Sequence, residues 1–361
     1  MSRPIQTLIH MQSMRENLRT VRKFAGGRFV WAVVKANAYG HGLLNAMAAF
    51  EEADGLAIVD IEDIFTLREC GWTKDILLLE GFFEPSDIAV LDHYDVQSIV
   101  HNEALVSMLE NARIKNRLRV YVKVNSGMNR LGFSPEEAPA VARRLSKIAN
   151  IEVMGYVTHF ANAEPDGDSK VTTVARQLRN MAPEMADGLP LCLANSAATM
   201  MRPEVGGAAV RPGIILYGIS PDASISSESL GLEPAMTLRA RIIALQNVAK
   251  GDAVGYGSRF VAQRQSRIAV VACGYADGYP RVMPDTARVW VENAYAPLAG
   301  NVSMDMMMID VTDVPQATLG SWVELWGKHI PVNNLAKLAG TIGYELVCSL
   351  ARRVPVVRDS H

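Results

Sequence analysis

Two patterns of apolar and polar positions divide the chain. Between residues 28 and 217, short apolar runs alternate with segments of helical periodicity such as AVARRLSKIA (140–149). The runs are FVWAVV (29–34), GLAIV (55–59), ILLLE (76–80), VQSIV (96–100), RVYVKV (119–124), VMGYVTHF (153–160), LCLAN (191–195) and AVRPG (209–213). Near-continuous apolar strands indicate a parallel sheet buried on both faces, and about eight strand–helix units favour a closed, TIM-like (β/α)8 barrel. An open doubly wound sheet is the alternative.

The pattern changes after PDASISSESLG (221–231), a polar stretch typical of a linker. Strand-like runs then follow one another without helical segments between them. They are MTLRARIIALQNV (236–248), RIAVVACGY (267–275), ARVWVENAYAPLAG (287–300), MMMIDV (306–311) and SWVELWG (321–327). We therefore expect an α/β chain of two domains: a barrel over residues 1–230 and a mostly β domain over residues 231–361, ending in the helical NNLAKLAG (333–340).

Two signals near the start of the chain add detail. The run TLIH (7–10) is one strand more than the barrel needs, which suggests that it belongs to the other domain. Ser13 and Glu16 have the spacing of a capping box, which predicts a helix starting there and running toward Phe24.

Composition narrows the class of protein. The 361 residues exceed the roughly 250–300 at which one hydrophobic core stops growing. A net charge of −2 and 20% charged residues give no electrostatic case for nucleic acid. Polar residues interrupt the segment 5–24, so it lacks a signal-peptide core, and no apolar run approaches the roughly 18 residues of a membrane helix. The four cysteines are far apart, which favours reduced thiols in a cytoplasmic protein over a zinc site or disulfides.

Lys35 is the first candidate for chemistry, because it ends the strand FVWAVV within VVKANAYGHG (33–42). Side chains at the C-terminal ends of barrel strands face the active-site mouth. A lysine desolvated there has a lowered pKa and is a nucleophile toward an aldehyde. A lone lysine more often extends to water, but the polar, glycine-rich turn at 39–42 favours a ligand site.

Candidate phosphate ligands follow two later strands. In RPGIILYG (211–218), the amides of Gly213 and Ile214 can open toward an anion, although a structural turn is equally compatible. Ser196 begins a helix, where a serine is either an N-cap or an anion ligand. No Walker-type GK[ST] or strand-borne GxGxxG occurs, which weighs against a nucleotide. The residues alone thus lead to a barrel enzyme with an anion-binding mouth and a candidate Schiff-base lysine.

Nine motifs, in their order along the chain, resemble those of the alanine racemases. They are VVKANAYGHG, SGMNRLGF, THFANAE, NSA, VRPGIILYG, VGYGSRF, GYADGYPR, SMD and TIGYELVC, and they cover the chain almost end to end. The resemblance implies interconversion of L-alanine and D-alanine in the cytoplasm, for peptidoglycan or for catabolism. It also implies pyridoxal 5′-phosphate as cofactor, no metal, and a homodimer whose active sites draw on both subunits.

The resemblance assigns the cofactor site residue by residue. Lys35 would form the Schiff base, and the phosphate would be held by Tyr39, Ser196, Gly213, Ile214 and Tyr344. Arg211 would face the pyridine nitrogen, with His159 in the network around Arg211 and Tyr256. Because arginine stays protonated, it cannot accept the ring proton. The ring would then be a weaker electron sink, which favours prompt reprotonation over transamination.

The resemblance also assigns two bases. Inversion needs a proton removed from one face of Cα and another delivered to the opposite face. Lys35 would serve one face and Tyr256, arriving from the partner subunit, the other. Arg130 would favour the phenolate of Tyr256 and pair with the substrate carboxylate.

The remaining assignments concern the substrate. The Met304 amide and the Tyr275 side chain would complete its site, with Asp305 adjacent. Lys123 matches a position that is carbamylated in many members and then orients Arg130; an ordinary barrel lysine is the alternative. Alternative functions are a racemase of broader specificity (serine or lysine), a decarboxylase on the same barrel, and a non-catalytic protein that binds the cofactor.

Two details depart from common family patterns. Ser303 stands where a cysteine is frequent, and Leu191 and Cys192 precede ANSA where a histidine is common. Neither departure removes a proposed catalytic group, so they bear on substrate preference and subgroup.

Overall fold

The eight apolar runs form the strands of a closed parallel barrel. The computed structural model describes residues 3–161, 163, 175–179 and 188–359. The barrel strands are β2 (Phe29–Val33), β3 (Gly55–Ile58), β4 (Asp75–Leu78), β5 (Gln97–Val100), β6 (Leu118–Lys123), β7 (Ile151–Val157), β8 (Leu191–Ala194) and β9 (Ala209–Val210). Each pairs in parallel with the next, and β9 pairs with β2 to close the ring. The predicted barrel is confirmed and the open sheet is wrong.

Burial and helix caps explain why these segments form these elements. Every residue of β3, β5 and β8 is buried, as a parallel sheet covered on both faces requires. The helices of the described residues in this half of the chain include α1 (Met11–Ala25), α2 (Leu43–Ala49), α3 (Ile61–Glu69), α4 (Pro85–Tyr94), α5 (Glu103–Asn111), α6 (Ala138–Leu145) and α7 (Ser196–Met201). Pro85 opens α4, and the Asn102 side chain caps α5 by accepting from the Leu105 amide at 2.9 Å.

The predicted start of α1 is wrong. The helix begins at Met11 rather than after Ser13, and the Met14 amide already donates to the His10 carbonyl at 3.1 Å. The His10 amide donates to the Ala235 carbonyl, so the chain enters the helix directly after a strand. Ser13 therefore lies inside the helix, and its hydroxyl donates to Glu233 instead of capping.

The second pattern forms a largely antiparallel sheet. Its strands are β1 (Ile5–Ile9), β10 (Met236–Val248), β13 (Ser266–Val271), β14 (Arg288–Val291), β15 (Ala294–Pro297), β16 (Met307–Asp310), β17 (Trp322–Trp326) and β18 (Val356–Arg358). A separate hairpin pairs β11 (Ala253–Val254) with β12 (Phe260–Val261), and α8 (Val332–Ala339) and α9 (Gly343–Cys348) follow the sheet. β1 pairs with β10 and β18, which confirms that TLIH belongs to the other domain.

Burial along β10 alternates over its first eight residues, as expected for a sheet with one face on a core. The run 287–300, read from the sequence as one strand, is a hairpin of β14 and β15. Its two turn residues, Glu292 and Asn293, have positive φ, which is typical of a two-residue hairpin loop. In the part of the chain that the structure describes, no helix is long and apolar enough to cross a membrane.

By internal contacts the chain forms two compact units. The barrel unit comprises Arg15–Ala38 and Leu43–Leu216, and the β unit comprises Met1–Met14, Tyr39–Gly42 and Tyr217–His361. The domain boundary between residues 230 and 231 stays a prediction.

Candidate active site

Lys35 follows β2 at the C-terminal end of that strand, and the backbone then becomes left-handed. Ala36, Asn37, Ala38 and Tyr39 all have φ between 52° and 54°. A left-handed residue costs roughly 1–2 kcal/mol, so the surrounding structure must hold this turn. Within the barrel unit, the Ala38 amide donates to the Val34 carbonyl at 2.8 Å and the Leu43 amide to the Asn37 side chain at 2.9 Å. Such strain is typical of functional segments.

Arg211 is a buried cation just after β9, with 5% of its surface exposed. Its Nη1 donates to the Cys192 carbonyl at 2.7 Å and to the Cys192 Sγ at 2.9 Å. Its Nη2 donates to the carbonyls of Thr158 and Leu193. No carboxylate pairs with the guanidinium within the described residues, and Nε makes no hydrogen bond there. Arg211 thus keeps one N–H donor and an uncompensated positive charge for a ligand.

Ser196 and Gly213 lie together, as the sequence predicts for an anion site. The Gly213 amide donates to the Ser196 hydroxyl at 2.8 Å. The cap of α7 is Asn195, whose side chain accepts from the Ala198 amide at 3.0 Å, so the Ser196 hydroxyl is not the cap. Ile214 begins a 3-10 turn directly after Gly213. Two backbone amides and a hydroxyl are thereby gathered at the start of a helical turn, where anions bind favourably.

Lys123 and His159 lie among the cations Lys35, Arg130 and Arg211 in the barrel unit. Burial first, and then the charges of Arg211 and Arg130, lower the pKa of Lys123 to about 7. Burial and the neighbouring cations likewise lower the pKa of His159 to about 3, so its imidazole is neutral near pH 7. Lys123, Arg130 and His159 also line one small cavity. No hydrogen bond joins His159 to Arg211 within the described ranges.

Tyr39 and Tyr344, the predicted phosphate ligands of the β unit, belong to one aromatic group. The Tyr39 ring centroid lies 4.9 Å from that of Tyr217 and 6.2 Å from that of Tyr344. Burial raises the pKa of the Tyr39 phenol well above its ordinary value, so it remains a hydrogen-bond donor. A Cβ at Gly40 would stand 2.0 Å from the Val347 carbonyl oxygen, so only glycine allows this approach.

Tyr256 stands on the surface of the β unit, with 74% of the residue exposed. It lies in a 3-10 turn (Tyr256–Ser258), and its carbonyl accepts from the Asn301 side chain at 2.9 Å. Tyr275 and Met304 are also exposed, at 37% and 54%. These three side chains are therefore accessible on the surface of the β unit.

Tyr275, Met304 and Asp305 lie on two turns that are hydrogen-bonded to each other. The Tyr275 amide donates to the Ser303 carbonyl at 3.0 Å, and the Ala276 amide to the Met304 carbonyl at 2.9 Å. Asp305 pairs with Arg353 at 2.7 Å. The two predicted substrate residues Tyr275 and Met304 are therefore held in a fixed relation.

Sequence reasoning missed the contacts of three residues. It gave no role to Cys192, Thr158 or Asp277, although the first two hold Arg211 and the third is a fully buried carboxylate. A lone Asp in a glycine-rich turn, as in GYADGY, was the available signal for Asp277. Two residues of the motif THFANAE, at positions 162 and 164, lie outside the described residues. In the described ranges no group of three or more His, Cys, Asp or Glu side chains is arranged to hold a metal.

A lysine, a buried arginine and an amide–hydroxyl pair at the ends of barrel strands are typical of a barrel enzyme whose site receives an anion. The chain belongs to the alanine racemase family, a family of isomerases. The model of the N-terminal domain of alanine racemase matches residues 9–221, and that of the C-terminal domain matches residues 235–358.

Individual relatives agree over the full length of the chain. A catabolic alanine racemase of Klebsiella aerogenes is 46% identical over 361 residues, covering 99% of both chains. An alanine racemase of Erwinia tasmaniensis is 46% identical over 359 residues, again with 99% of both covered. Among solved structures, the biosynthetic alanine racemase of Pseudomonas aeruginosa superposes with a TM-score of 0.94 at 38% identity, covering 99% of each chain.

Proposed function

We propose that this chain interconverts L-alanine and D-alanine with pyridoxal 5′-phosphate as its cofactor. The observation that carries the proposal is Arg211, a buried cation held by carbonyls and a thiol at the end of a barrel strand. Its unused Nε is a donor for a ring nitrogen that stays unprotonated. In a decarboxylase on this barrel, we would expect a glutamate, and not an arginine, to face the pyridine nitrogen.

The residues present fit this cofactor. The Ser196 hydroxyl and the amides of Gly213 and Ile214 are suited to a phosphate, and the proposal adds the phenols of Tyr39 and Tyr344. Arg211 is suited to the pyridine nitrogen, and Lys35 is the amine for the aldehyde. When bound, the cofactor supplies an electron sink that acidifies the α-hydrogen of the amino acid.

The protein's own groups then move the proton. On one face of the substrate Cα, Lys35 Nζ takes or gives a proton; on the other face, the phenol oxygen of Tyr256 of the partner subunit does so. Arg130 pairs with the substrate carboxylate. The Met304 amide, the Tyr275 side chain and the adjacent Asp305 complete the site, and His159 joins the network around Arg211.

The proposal requires a homodimer, because Tyr256 serves the site of the other subunit. The 74% exposure of Tyr256 and the 54% exposure of Met304 support this, since both leave much of their surface for another chain. Activity should then fall when the protein is diluted until it dissociates. Full activity in a monomer, established by analytical ultracentrifugation at the assay concentration, would contradict the shared site.

Lys123 is the proposed carbamylated lysine. A carbamate forms on a neutral amine, and burial lowers the pKa of Lys123 to about 7, so the reactive form is available near neutrality. The carbamate would compensate the surrounding cations and orient Arg130. Nuclear magnetic resonance after growth with 13C-bicarbonate tests this: a carbamate carbon should be present in the wild type and absent in Lys123→Met.

The cytoplasmic location stays a prediction.

The function is tested with purified, cofactor-loaded protein and each enantiomer of alanine separately. We expect exchange of the α-hydrogen with deuterated water and loss of optical rotation, whichever enantiomer is the starting material. Absence of both, with cofactor bound, rules out the proposal. Turnover of serine and lysine in the same assay distinguishes a broader racemase, because one methylene in an apolar pocket changes recognition by only about 1–3 kcal/mol.

A further inference from the structure

Asp277 is a carboxylate of the β unit that is completely buried and paired with two arginines. Arg3 donates to it through Nη1 at 2.7 Å and through Nη2 at 3.2 Å, and Arg353 approaches through Nε at 2.8 Å. The Gly274 amide also donates to Asp277, at 3.0 Å. A buried carboxylate is retained only when it is paired and hydrogen-bonded, so this network joins three parts of the chain: Arg3, Arg353 and the turn from Gly274 to Asp277.

The same two arginines also hold the turn that carries Met304. Arg3 Nη2 donates to the Asp305 carbonyl at 2.7 Å, and Arg353 Nη2 pairs with the Asp305 carboxylate at 2.7 Å. Each arginine thus bridges Asp277 and Asp305. A Cβ on Gly274 would stand 2.3 Å from the Ser303 carbonyl oxygen, so the two turns are in close backbone contact.

This contact fixes the direction of one N–H group. The Tyr275 amide donates to the Ser303 carbonyl at 3.0 Å. In a planar trans peptide, the carbonyl of Ser303 and the N–H of Met304 point in opposite directions. Fixing the carbonyl toward Tyr275 therefore aims the Met304 N–H away from it. That N–H donates no hydrogen bond within the described part of the chain, and 54% of Met304 is exposed.

We infer that Asp277 is a positioning residue for substrate binding: through Arg3, Arg353 and the Gly274 turn, it holds the Met304 amide in the direction that receives the substrate carboxylate. The inference rests on the proposed function, which gives that amide to the substrate. Because Asp277 is completely buried, it acts on the substrate site through these partners. Without the charge of Asp277, Arg3 and Arg353 are held by Asp305 alone. The turn at residues 303–305 then becomes more mobile.

The variants are Asp277→Asn, which removes the charge and keeps the shape, and Arg353→Gln, which removes the partly exposed arginine. The second keeps the test available if Asp277→Asn fails to fold. Arg353→Lys is the rescue variant, because it restores charge without the forked geometry. The matched control is Asp313→Asn, whose ion pair with Arg264 is exposed in the same unit.

Two measurements are made on the holoenzyme. First, we expect the KM for alanine to rise about tenfold or more, the size of a lost charge-assisted hydrogen bond, with kcat within about threefold of the wild type. Arg353→Lys should recover part of this change, and Asp313→Asn should show none. Second, hydrogen exchange should accelerate at the amides of Tyr275 and Ala276, which form the bonds between the two turns.

The outcomes separate this inference from the proposed function. If the wild type does not racemise alanine, the proposed function fails, and hydrogen exchange still reports whether Asp277 holds the turns. If the wild type is active and both variants keep the wild-type KM and exchange rates, the inference is overturned. A fall in kcat with unchanged KM, or an equal effect in Asp313→Asn, also overturns it, since neither follows from a misdirected amide.

Discussion

Arg211 Nη1 lies 2.7 Å from the carbonyl oxygen and 2.9 Å from the sulfur of Cys192. The Arg211 side chain thereby joins the end of β9 to the neighbouring strand β8. The hydrogen bonds of this guanidinium within the described residues go to carbonyls and a thiol, so its charge stays uncompensated. Burial first, and then the charges of Arg211, Lys123, Arg130 and Lys35, lower the pKa of His159 to about 3. The barrel mouth is therefore an electropositive site suited to an anionic cofactor and a carboxylate substrate.

Replacing Arg211 by glutamate should convert the site into a poorer racemase and a better transaminating enzyme. A carboxylate accepts the ring proton that arginine cannot, which makes the cofactor a stronger electron sink. We expect racemisation of alanine to fall about a hundredfold or more, while pyruvate formed per racemisation event rises. Coupled lactate dehydrogenase measures pyruvate, and polarimetry measures racemisation. Cys192→Ser keeps an acceptor for Arg211 and is the control; an unchanged product ratio in Arg211→Glu would contradict the assigned role.

Lys35→Ala should abolish both cofactor attachment and turnover. The lysine ends a barrel strand, where its amine is the proposed nucleophile toward the cofactor aldehyde. We expect the visible absorbance of the bound cofactor to be lost and turnover to fall about a thousandfold or more. Absorbance spectra and racemisation are measured on the same preparation, with the exposed Lys147→Ala as control. A wild-type spectrum in Lys35→Ala would show that the cofactor is attached elsewhere.

The barrel was predictable because burial is encoded locally. Each strand of a doubly covered sheet is apolar throughout, so the eight runs could be found one at a time, as β3 and β8 show. The one-sided burial of β10 was equally visible as alternation over its first eight residues. The candidate site followed from motifs at strand ends, where the fold places functional side chains.

Other features depend on residues that meet only in the folded chain. Asp277 is bound by Arg3, 274 positions away, and no local pattern announces such a pair. The left-handed turn after Lys35 has alanines where glycine is the usual signal, so residue propensity did not predict it; hydrogen bonds to Val34 and from Leu43 hold it. Ser13 and Glu16 had the spacing of a capping box, but the strand before them leads into the helix two residues earlier.

Tyr256→Phe should abolish racemisation in both directions while leaving the cofactor spectrum unchanged. Only the phenol oxygen is removed, so no group takes or gives a proton on one face of Cα. We expect the rate of racemisation to fall about 10²–10⁴-fold. The remaining base, Lys35, should still exchange the α-hydrogen of one enantiomer with deuterated water without inverting it. Mass spectrometry of each recovered enantiomer measures this. The exposed Tyr295→Phe is the matched control, and full activity of Tyr256→Phe in both directions would refute the two-base scheme.

Lys123 should give the folded protein a pH-dependent stability. Burial, with Arg211 and Arg130, lowers its pKa from 10.5 to about 7, so between these values the unfolded chain binds a proton that the folded chain lacks. The free energy of unfolding should therefore rise with pH across this window, with the penalty complete below pH 7. Urea denaturation in carbon dioxide-free buffer at pH 7 and about pH 9.5 should show a smaller rise in Lys123→Met than in the wild type. The exposed Lys147→Met is the control, and equal rises in Lys123→Met and the wild type would show that folding does not lower the pKa of Lys123.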